Sequence, residues 1–379
     1  MRGHMTKRSQ GSWSIVLDMG RDPTTGKRRQ QWVSVKGTKK DAERKLAELV
    51  HQLDTGVFVK ASKLTVGEYI EQWLRDYAQA HVRPRTLEGY RERAKHLIAG
   101  FGNVPLSELR ADHIQGYYTK KLETLSAGTL IKHHNLIHQA LAHAVKWGIL
   151  ARNVAEAVDP PKPVRKEMRA LDATEVRILL DTCHDTPWYP MIHTLIWTGL
   201  RRSELLGLRW KDIDLDFANM HIVQVLHQLN DGVFVFQEPK TAKGRRAVSL
   251  SPISCVLLRD LRENQEANAD LLGISVTGDT LVFGHVDGSP RAPATLTHAF
   301  SKLAKRAGFS GVRLHDLRHT HASLLFQQGI HPKVVSERLG HANILITLDT
   351  YSHLLPGMQE AAAMKFDAGM EMALAATAR

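Results

Sequence analysis

The chain has 379 residues and a formal net charge of +12, from 51 lysines and arginines against 39 aspartates and glutamates. Its hydrophobic content of 43% is sufficient for packed cores, which excludes a largely disordered protein. We find no apolar run of membrane-spanning length, we expect no signal peptide, and the two cysteines, Cys183 and Cys255, cannot form a disulfide framework. The length predicts two or three domains, and the cysteine usage fits a reducing cytosol.

Positive charge is concentrated at the start of the chain. Residues 1–60 carry a net charge of +7, residues 61–160 carry +3 and residues 161–379 carry +2. This asymmetry favours a polyanionic partner, because each neutralised phosphate releases condensed counterions, although a solvated basic tail has the same composition. We set residues 1–5 aside from the fold as an added leader, with Met5 as the natural start.

The first segment, residues 1–60, predicts a small sheet of two or three strands backed by one helix. Residues 13–19 and 31–35 are short runs rich in β-branched and aromatic side chains, with turn residues between them. Thr38 caps a helix over residues 42–53, whose apolar side chains share one face. A small solubilising domain is one interpretation. The other is a sheet laid into a DNA groove, which suits the basic residues Lys27, Arg28, Arg29 and Lys36.

The second segment, residues 64–158, predicts a helical domain. Thr65 and Glu68 form a capping box before an apolar face. Further helical periods cover residues 86–98, 112–122 and 128–147. Arg83 and Arg85 belong to a basic cluster at one helix start, which faces either DNA phosphates or simply solvent.

The third segment follows a proline-rich linker, residues 159–168, and extends over residues 169–379. Residues 171–175 cap its first helix. Four strand-like runs then predict one small antiparallel sheet, and helical periodicity continues from residue 253, interrupted between 273 and 288; the runs are 213–217, 220–226, 233–236 and 247–250. The predicted fold class is therefore multidomain and mainly α with a small β component.

Five short motifs in the third segment carry its chemistry. They are Thr198-Gly-Leu-Arg-Arg-Ser-Glu204, Pro239-Lys-Thr241, His315-Asp-Leu-Arg-His-Thr320, Leu339-Gly-His341 and Thr350-Tyr-Ser-His353. In identity, order and approximate spacing, this set resembles the motifs of the tyrosine recombinases, the phage-integrase family. Each motif alone is a weak signal, whereas all five in order are a specific one.

The resemblance implies a site that attacks a phosphodiester without a metal ion. Arg201 and Arg318 match the paired arginines that clamp the phosphate, and His341 matches a third donor to it. Tyr351 matches the nucleophile, whose phenol has an ordinary pKa of about 10 and must lose its proton to attack. His315 matches the proton-handling histidine beside the phosphate.

Lys240 matches the family's general acid, which protonates the departing 5′ oxygen. Lys243 lies three residues further on in the same turn, and either side chain can reach the phosphate. Arg201 and Glu204 also admit a purely structural interpretation, as an ion pair at a helix end. Within the family interpretation, Glu204 braces Arg201 and does not take part in the chemistry.

Two histidine pairs have the i, i+4 spacing of metal ligands. His134 and His138 lack a third ligand, so we interpret them as surface or groove histidines. His315 and His319 have no glutamate beside the first histidine, and the arginine beside the second repels a cation. We therefore predict no metal site.

The resemblance implies a DNA strand-exchange enzyme that forms a 3′-phosphotyrosyl intermediate and needs neither ATP nor a metal or other cofactor. Residues 1–60 would bind arm-type sites, residues 64–158 core sites, and residues 169–379 would carry catalysis. A homotetramer would act on two double-stranded DNA attachment sites, with residues 358–378 docked on a neighbouring protomer or on their own chain. A host DNA-bending protein and an excision factor are further expected partners, a membrane is not, and the expected location is the bacterial cytosol or nucleoid.

The layout favours the integrase of a phage or conjugative element. A chromosome-dimer-resolving recombinase generally lacks the arm-binding segment. A type IB topoisomerase uses a similar set of residues but relaxes one duplex instead of joining two. A non-catalytic DNA-binding regulator needs no nucleophile aligned with the arginine motifs.

Overall fold

The computed structural model describes residues 3–21, 26–54, 63–164 and 169–351, together with 363–364, 366–371 and 374. The description leaves out some side chains in these ranges: Met19, Arg29, Gln52, Asp54, Asp349, Thr350 and Tyr351. The chain divides into two compact units, Met1–Arg165 and Lys166–Arg379. Most of the predicted tail segment 358–378, and Ser352 and His353 of the last motif, lie outside the described residues. The described part is mainly helical with small sheets, which confirms the predicted fold class.

The first unit begins with a three-stranded antiparallel sheet in the order β1-β2-β3, packed against one helix; the elements are β1 (Gly3–Ser9), β2 (Ser12–Arg21), β3 (Arg28–Lys36) and α1 (Lys39–Asp54). Ile15, Leu17 and Leu49 form its core. Setting residues 1–5 aside was wrong, because His4 pairs with Val16 and extends β1 along the sheet. The backbone pairing of β1 with β2 places these residues in the sheet, and the amino-acid composition of the segment does not indicate this pairing.

The described residues 63–164 of the first unit are mainly helical, with a π-helical turn (Leu74–Ala78) and two short 3₁₀ segments (Leu106–Glu108 and Val154–Ala157); the helices are α2 (Val66–Trp73), α3 (Gln79–His81), α4 (Pro84–Phe101), α5 (Ala111–Lys121) and α6 (Ala127–Lys146). The predicted capping box is confirmed, since the Thr65 amide donates to Glu68 Oε2 at 2.8 Å and the Glu68 amide donates to Thr65 Oγ1 at 3.2 Å. Trp73, Tyr69 and Tyr118 are fully buried in the core of these helices.

The second unit alternates helices with short strands; in chain order they are α7 (Ala173–Cys183), α8 (Tyr189–Thr198), α9 (Arg202–Leu206), β4 (Ile213–Asp214), β5 (Asn219–Ile222), β6 (Val225–Gln228), β7 (Phe234–Gln237), β8 (Arg246–Ser249), α10 (Pro252–Asp270), α11 (Pro293–Arg306), α12 (Asp316–Gln327), α13 (Pro332–Leu339) and α14 (Ile344–Tyr351). The expected capping of the first helix is confirmed by reciprocal hydrogen bonds between Asp172 and Glu175.

The prediction of one small sheet in this unit was wrong, because the strands form two sheets, β4-β5-β8 and β6-β7. The predicted run 220–226 is split between β5 and β6. At the break, the Gln224 side chain donates to the Gly207 carbonyl at 2.8 Å, and β6 packs against α9. A Cβ atom on Gly207 would lie 3.0 Å from the Leu226 amide nitrogen, so the glycine permits this close approach.

Two apolar clusters support the second unit. The larger one joins α7, α8 and α11 with the strands, and the smaller one joins α12 and α13 through Ala322, Phe326, Val335 and Leu339. Within the described ranges, no helix combines the length and apolar character needed to cross a membrane.

Candidate active site

The site is built where the end of α8, the start of α9, the N-terminal half of α12 and the end of α13 meet. Helix α8 ends at Gly199, which has a left-handed φ of 65°. A Cβ atom there would lie 2.6 Å from the His321 ring and 2.7 Å from Leu339, so only glycine lets the chain turn this close to α12 and α13. The turn brings Arg201 to the N-cap position of α9.

Arg201 is held by Glu204 from two sides. The Arg201 amide donates to Glu204 Oε2 at 2.9 Å, and its guanidinium Nη1 donates to Glu204 Oε1 at 2.7 Å. The Arg201 side chain remains 38% exposed, whereas that of Glu204 is 2% exposed. The guanidinium is therefore both oriented by a buried carboxylate and accessible to a ligand. The structural ion pair expected at this helix end exists, and it is compatible with a role in the chemistry.

Arg318 is buried in the first turn of α12 and is hydrogen-bonded to the ends of α8 and α13. Its Nη1 donates to the Gly199 carbonyl at 2.8 Å, and its Nη2 donates to the Leu339 carbonyl at 2.5 Å. These contacts join residues 119 and 21 positions apart in sequence. Arg318 therefore lies beside the motif that contains Arg201 and the motif that contains His341.

His341 follows Gly340, a second glycine with left-handed φ, at the end of α13. Its Nδ1 is hydrogen-bonded to the buried Thr347 hydroxyl at 2.7 Å. Burial lowers the pKa of the His341 imidazole to about 4, and the positive charges of Arg318 and Arg201 add to that effect. The ring is therefore neutral near pH 7, and the two arginines are near enough to influence its proton affinity.

His315 occupies the N-cap position of α12. Much of the His315 surface is exposed, but the surrounding protein desolvates the imidazole. This desolvation, together with the charges of His319, Arg318 and Arg201, lowers the pKa of His315 to about 4. Its ring lies edge-on to that of His319, with 5.2 Å between the centroids. Four of the predicted residues are thus close enough together for the arginine charges to affect the histidine pKa values; they are Arg201, His315, Arg318 and His341.

The two candidate lysines lie in the loop between β7 and β8. Lys243 Nζ donates to the Ala342 carbonyl at 2.8 Å, next to His341. Lys240 is exposed and has no hydrogen bond or ion pair to another residue of the described ranges. A cavity of about 310 Å³ beside this loop is lined by Lys243, His341 and other residues of the loop and α13. The choice between the two lysines as general acid stays a prediction.

Tyr351 is the last residue of α14, which packs against α12 and α13. Those two helices bear Arg318 and lead into His341, so the backbone of the predicted nucleophile belongs to a helix in contact with the site. Its side chain lies outside the described residues. The role of Tyr351 as nucleophile stays a prediction.

Each of the two histidine pairs contacts side chains of its own unit. Among the described residues, no group of three or more histidine, cysteine, aspartate or glutamate side chains is arranged to hold one. In the first unit, the Tyr118 hydroxyl is hydrogen-bonded to His134 Nδ1 at 2.9 Å, and the His134 and His138 rings lie 5.8 Å apart. These contacts give the helical histidines a structural role.

The predicted DNA-contacting residues of the first unit lie at its surface where their side chains are described. Lys27 and Lys36 are exposed, and Arg28 donates to Asp18 Oδ2 while its side chain remains 67% exposed. The Arg29 side chain lies outside the described residues. Arg83 is the N-cap of α4, and the exposed Arg85 pairs with Glu88 at 2.8 Å. These positions permit contact with a polyanion, which stays a prediction.

Three residues that sequence reasoning missed complete the surroundings of the site. Arg246 binds Glu204, and Arg338 donates from Nε to His321 Nε2 at 3.0 Å. His321 in turn is hydrogen-bonded through Nδ1 to the Ile196 carbonyl at 2.8 Å. The one available signal was the second arginine of Arg245-Arg246, which opens an alternating strand, and it does not by itself indicate burial.

Known families and proteins resemble this chain over most of its length. The Phage integrase family matches residues 169–357, and the Phage integrase, N-terminal SAM-like domain matches residues 65–122. The ICEBs1 integrase of Bacillus subtilis is 28% identical over 368 residues, which cover 95% of this chain and 98% of that protein. Tyrosine recombinase XerC of Xylella fastidiosa is 30% identical over 278 residues, which cover 71% of this chain and 86% of that protein.

Among solved structures, the Tn1549 transposon integrase in complex with a circular intermediate DNA has the same fold. Its TM-score is 0.69 at 21% sequence identity, and the match covers 80% of this chain and 99% of that chain. The family models, the curated relatives and the shared fold lead to one assignment. The chain belongs to the phage integrase family of tyrosine recombinases, enzymes that cleave and rejoin DNA through a tyrosine.

Proposed function

We propose that this recombinase is the integrase of a phage or conjugative element, and that Arg201, Arg318, His341, His315 and Tyr351 perform its chemistry. The observation that carries the proposal is the convergence at Gly199 and Leu339, where Arg318 joins the arginine motif to the histidine motif. Two guanidiniums beside two neutral imidazoles form a site for an anion whose charge grows in the transition state.

In the proposed reaction, the Tyr351 phenolic oxygen attacks the scissile phosphorus, and the bond from phosphorus to the 5′ oxygen breaks. The phenolic proton passes to a base, and we assign this role to His315, which its surroundings keep neutral. Lys240 gives a proton to the departing 5′ oxygen. The product is a 3′-phosphotyrosyl bond and a free 5′ hydroxyl, and attack by a 5′ hydroxyl of a partner duplex reverses both steps. The bond energy is kept in the intermediate, so ATP and a metal ion have no step to perform.

The remaining parts of the chain would choose and hold the DNA. Residues 1–60 bind arm-type sites, residues 64–158 bind core sites, and residues 159–168 act as the hinge to the catalytic residues 169–379. Four protomers assemble on two attachment sites in the bacterial cytosol, at the nucleoid, with a host DNA-bending protein and an excision factor as further partners. The DNA-bound Tn1549 integrase, whose fold this chain shares, supports the DNA partner.

A chromosome-dimer-resolving recombinase is the second candidate, because a protein named XerC is among the relatives. That match covers 71% of this chain, and a XerC-like recombinase of Caldanaerobacter subterraneus matches 92% of it, against 95% for the ICEBs1 integrase. The relatives named integrase, among them those of ICEBs1 and of Streptomyces ambofaciens, favour the mobile-element integrase. Deleting residues 1–60 tests the difference: arm-site binding should weaken while cleavage of a core site is spared, and loss of core cleavage would contradict the proposed division of labour.

The enzyme class is tested with a nicked suicide DNA prepared from the sequences that flank the gene. A covalent protein–DNA adduct is the expected result, and recombinant product between two sites separates a recombinase from a topoisomerase. Relaxation of supercoils without any joint product would overturn the integrase proposal.

A further inference from the structure

A buried ion pair lies behind the phosphate-binding arginines. Arg246, the first residue of β8, donates from Nη1 and Nη2 to the two carboxylate oxygens of Glu204 at 3.1 and 3.0 Å. The two side chains are 7% and 2% exposed. Glu204 shares this carboxylate with Arg201, so one buried anion holds two guanidiniums that come from residues 45 positions apart. A bidentate contact of this kind fixes orientation as well as distance.

Arg246 also contacts the end of α13. Its Nε donates to the Arg338 carbonyl at 2.7 Å, beside the bond from Arg318 to the Leu339 carbonyl. The last carbonyls of a helix have no partner within the helix, and here two arginines from other elements satisfy two of them. A Cβ atom on Gly340 would lie 2.9 Å from Arg246 Nη1. The Arg246 guanidinium therefore occupies the space next to Gly340, the residue that precedes His341.

We propose that Arg246 is a positioning residue for strand cleavage: it orients Arg201 through Glu204 and His341 through the end of α13. This inference rests on the proposed function of Arg201 and His341. Arg246 itself does not touch the phosphate, since its three nitrogens are directed at Glu204, Arg338 and Gly244.

The charge state of the pair supports this arrangement. Burial by itself would raise the pKa of Glu204, but the hydrogen bonds and charge of Arg246, with the charge of Arg201, outweigh burial and lower that pKa to about 2. Glu204 is therefore an anion near neutral pH. A lysine at position 246 would keep a positive charge near Glu204 but cannot make the forked contact and the contact to the Arg338 carbonyl together.

The experiment compares Arg246→Lys with wild type on two suicide DNAs, one with the normal scissile phosphate and one with a methylphosphonate there. The methylphosphonate has no negative charge, so it depends much less on a well-placed Arg201. On the phosphate we expect adduct formation to be about 10²-fold slower than wild type, the loss typical of one misplaced transition-state donor. On the methylphosphonate we expect the deficit to be at least tenfold smaller.

Two further variants keep the comparison interpretable. Arg259→Met is the matched control, because Arg259 is an exposed arginine of α10 that contacts the Leu215 carbonyl, and it should behave as wild type on both DNAs. If Arg246→Lys does not fold, the double variant Glu204→Gln with Arg246→Gln removes both charges together, and the same selective recovery on methylphosphonate is expected. An equal deficit on the two DNAs would overturn the proposal, because it would mark Arg246 as a purely structural residue.

The adduct of the wild-type protein on the normal phosphate tests the proposed function, and the ratio of variant to wild type tests this inference. Crystal structures of the wild-type protein and of Arg246→Lys give a readout that is independent of activity. The inference predicts a displacement of the Arg201 guanidinium or the His341 ring by about 1 Å, a distance that is sufficient for a 10²-fold loss. Unchanged positions of both groups would refute it even if the enzyme proves active.

Discussion

Two groups of charged side chains, one in each unit of the chain, are held in different ways. In residues 169–351, Arg318 and Arg246 are buried, and their hydrogen bonds to Gly199 and Glu204 span 119 and 42 positions of sequence. In residues 63–164, ion pairs such as Arg85–Glu88 and Lys95–Glu92 join side chains three positions apart, and their cations are exposed. The first arrangement fixes the geometry of each charged group, and the second leaves cations at the surface.

The two arrangements should respond differently to the loss of a charged side chain. A buried arginine with several partners cannot be removed without changing the shape of its surroundings, so its loss should affect the chemical step strongly. An exposed cation contributes a small, screened term to DNA binding, so its loss should produce small, salt-dependent changes that add up. We therefore expect substitutions at buried arginines to slow DNA cleavage most and substitutions at exposed cations to change DNA binding least.

Arg318→Ala should cause the largest loss of cleavage. Removing a charged donor to the transition state is expected to slow adduct formation by about 10³-fold. DNA binding should weaken modestly, with a salt slope shallower by about one unit, because one phosphate contact is lost. The measurements are single-turnover cleavage and binding at several salt concentrations. Arg306→Ala, an exposed arginine of α11 bound to the Thr182 carbonyl, is the control. Equal collapse of binding and cleavage would mark Arg318 as structural.

The two lysines of the β7–β8 loop can be separated by the leaving group. Lys240→Ala should slow cleavage by about 10²-fold, because a general acid is lost. A DNA with sulfur in place of the bridging 5′ oxygen should restore its rate, since a thiolate leaves without being protonated. Lys243→Ala, which removes the contact to the Ala342 carbonyl, should show a smaller defect that sulfur does not repair. The reverse pattern would assign the general acid to Lys243.

The catalytic unit should lose stability in acid because of buried neutral histidines. Burial lowers the pKa of His193 to about 4, against about 6.5 in an unfolded chain. The unfolded state therefore binds more protons between these values, so the stability that His193 contributes is complete above pH 6.5 and is lost as the pH falls towards 4. At pH 5 the loss is about 2 kcal/mol relative to pH 8.

The check on this prediction is urea unfolding of the wild type and of His193→Phe at both pH values. His193 stacks on Trp197 with 4.0 Å between the ring centroids, a contact that phenylalanine can keep. The variant should show a shallower dependence of its unfolding free energy on pH. An unchanged dependence would mean that other histidines account for the acid sensitivity.

Single substitutions in the N-terminal sheet should have the smallest effects. Arg28→Ala and Lys36→Ala each remove one exposed cation from β3, and each should lower the salt slope of arm-site binding by about one unit without changing core cleavage. Lys45→Ala is the control, because that lysine belongs to α1, has a side chain that is 42% exposed, pairs with Glu48 and was not among the predicted DNA contacts. Equal effects of all three variants would show that the sheet has no preferred role in binding.

Much of the fold could be predicted from local signals. The capping boxes at Thr65 and Asp172 were visible as short patterns, because their hydrogen bonds join residues only three positions apart. The break between β5 and β6 was not visible, since it depends on the contact between Gln224 and Gly207 across 17 positions. Strand β1 was missed because its pairing with β2 carries no composition signal.

The candidate site was predictable to a similar degree. The predicted site residues were recognised as motifs, since the chemistry expected of them restricts the residue type. The residues behind them, Arg246 and Arg338, were not found, because a buried arginine and an exposed one look the same in a sequence. Their partners lie 42 and 141 positions away, at Glu204 and Trp197, and only the folded chain brings them together.

The proposed reaction depends above all on which oxygen bonds to the scissile phosphorus. Covalent adduct from a suicide DNA should be digested with a protease, and the peptide that carries the nucleotide identified by mass spectrometry. The account predicts one modified peptide, with the nucleotide on Tyr351, and no adduct from Tyr351→Phe although DNA binding is retained. A nucleotide on any other residue, or undiminished adduct from Tyr351→Phe, would contradict it.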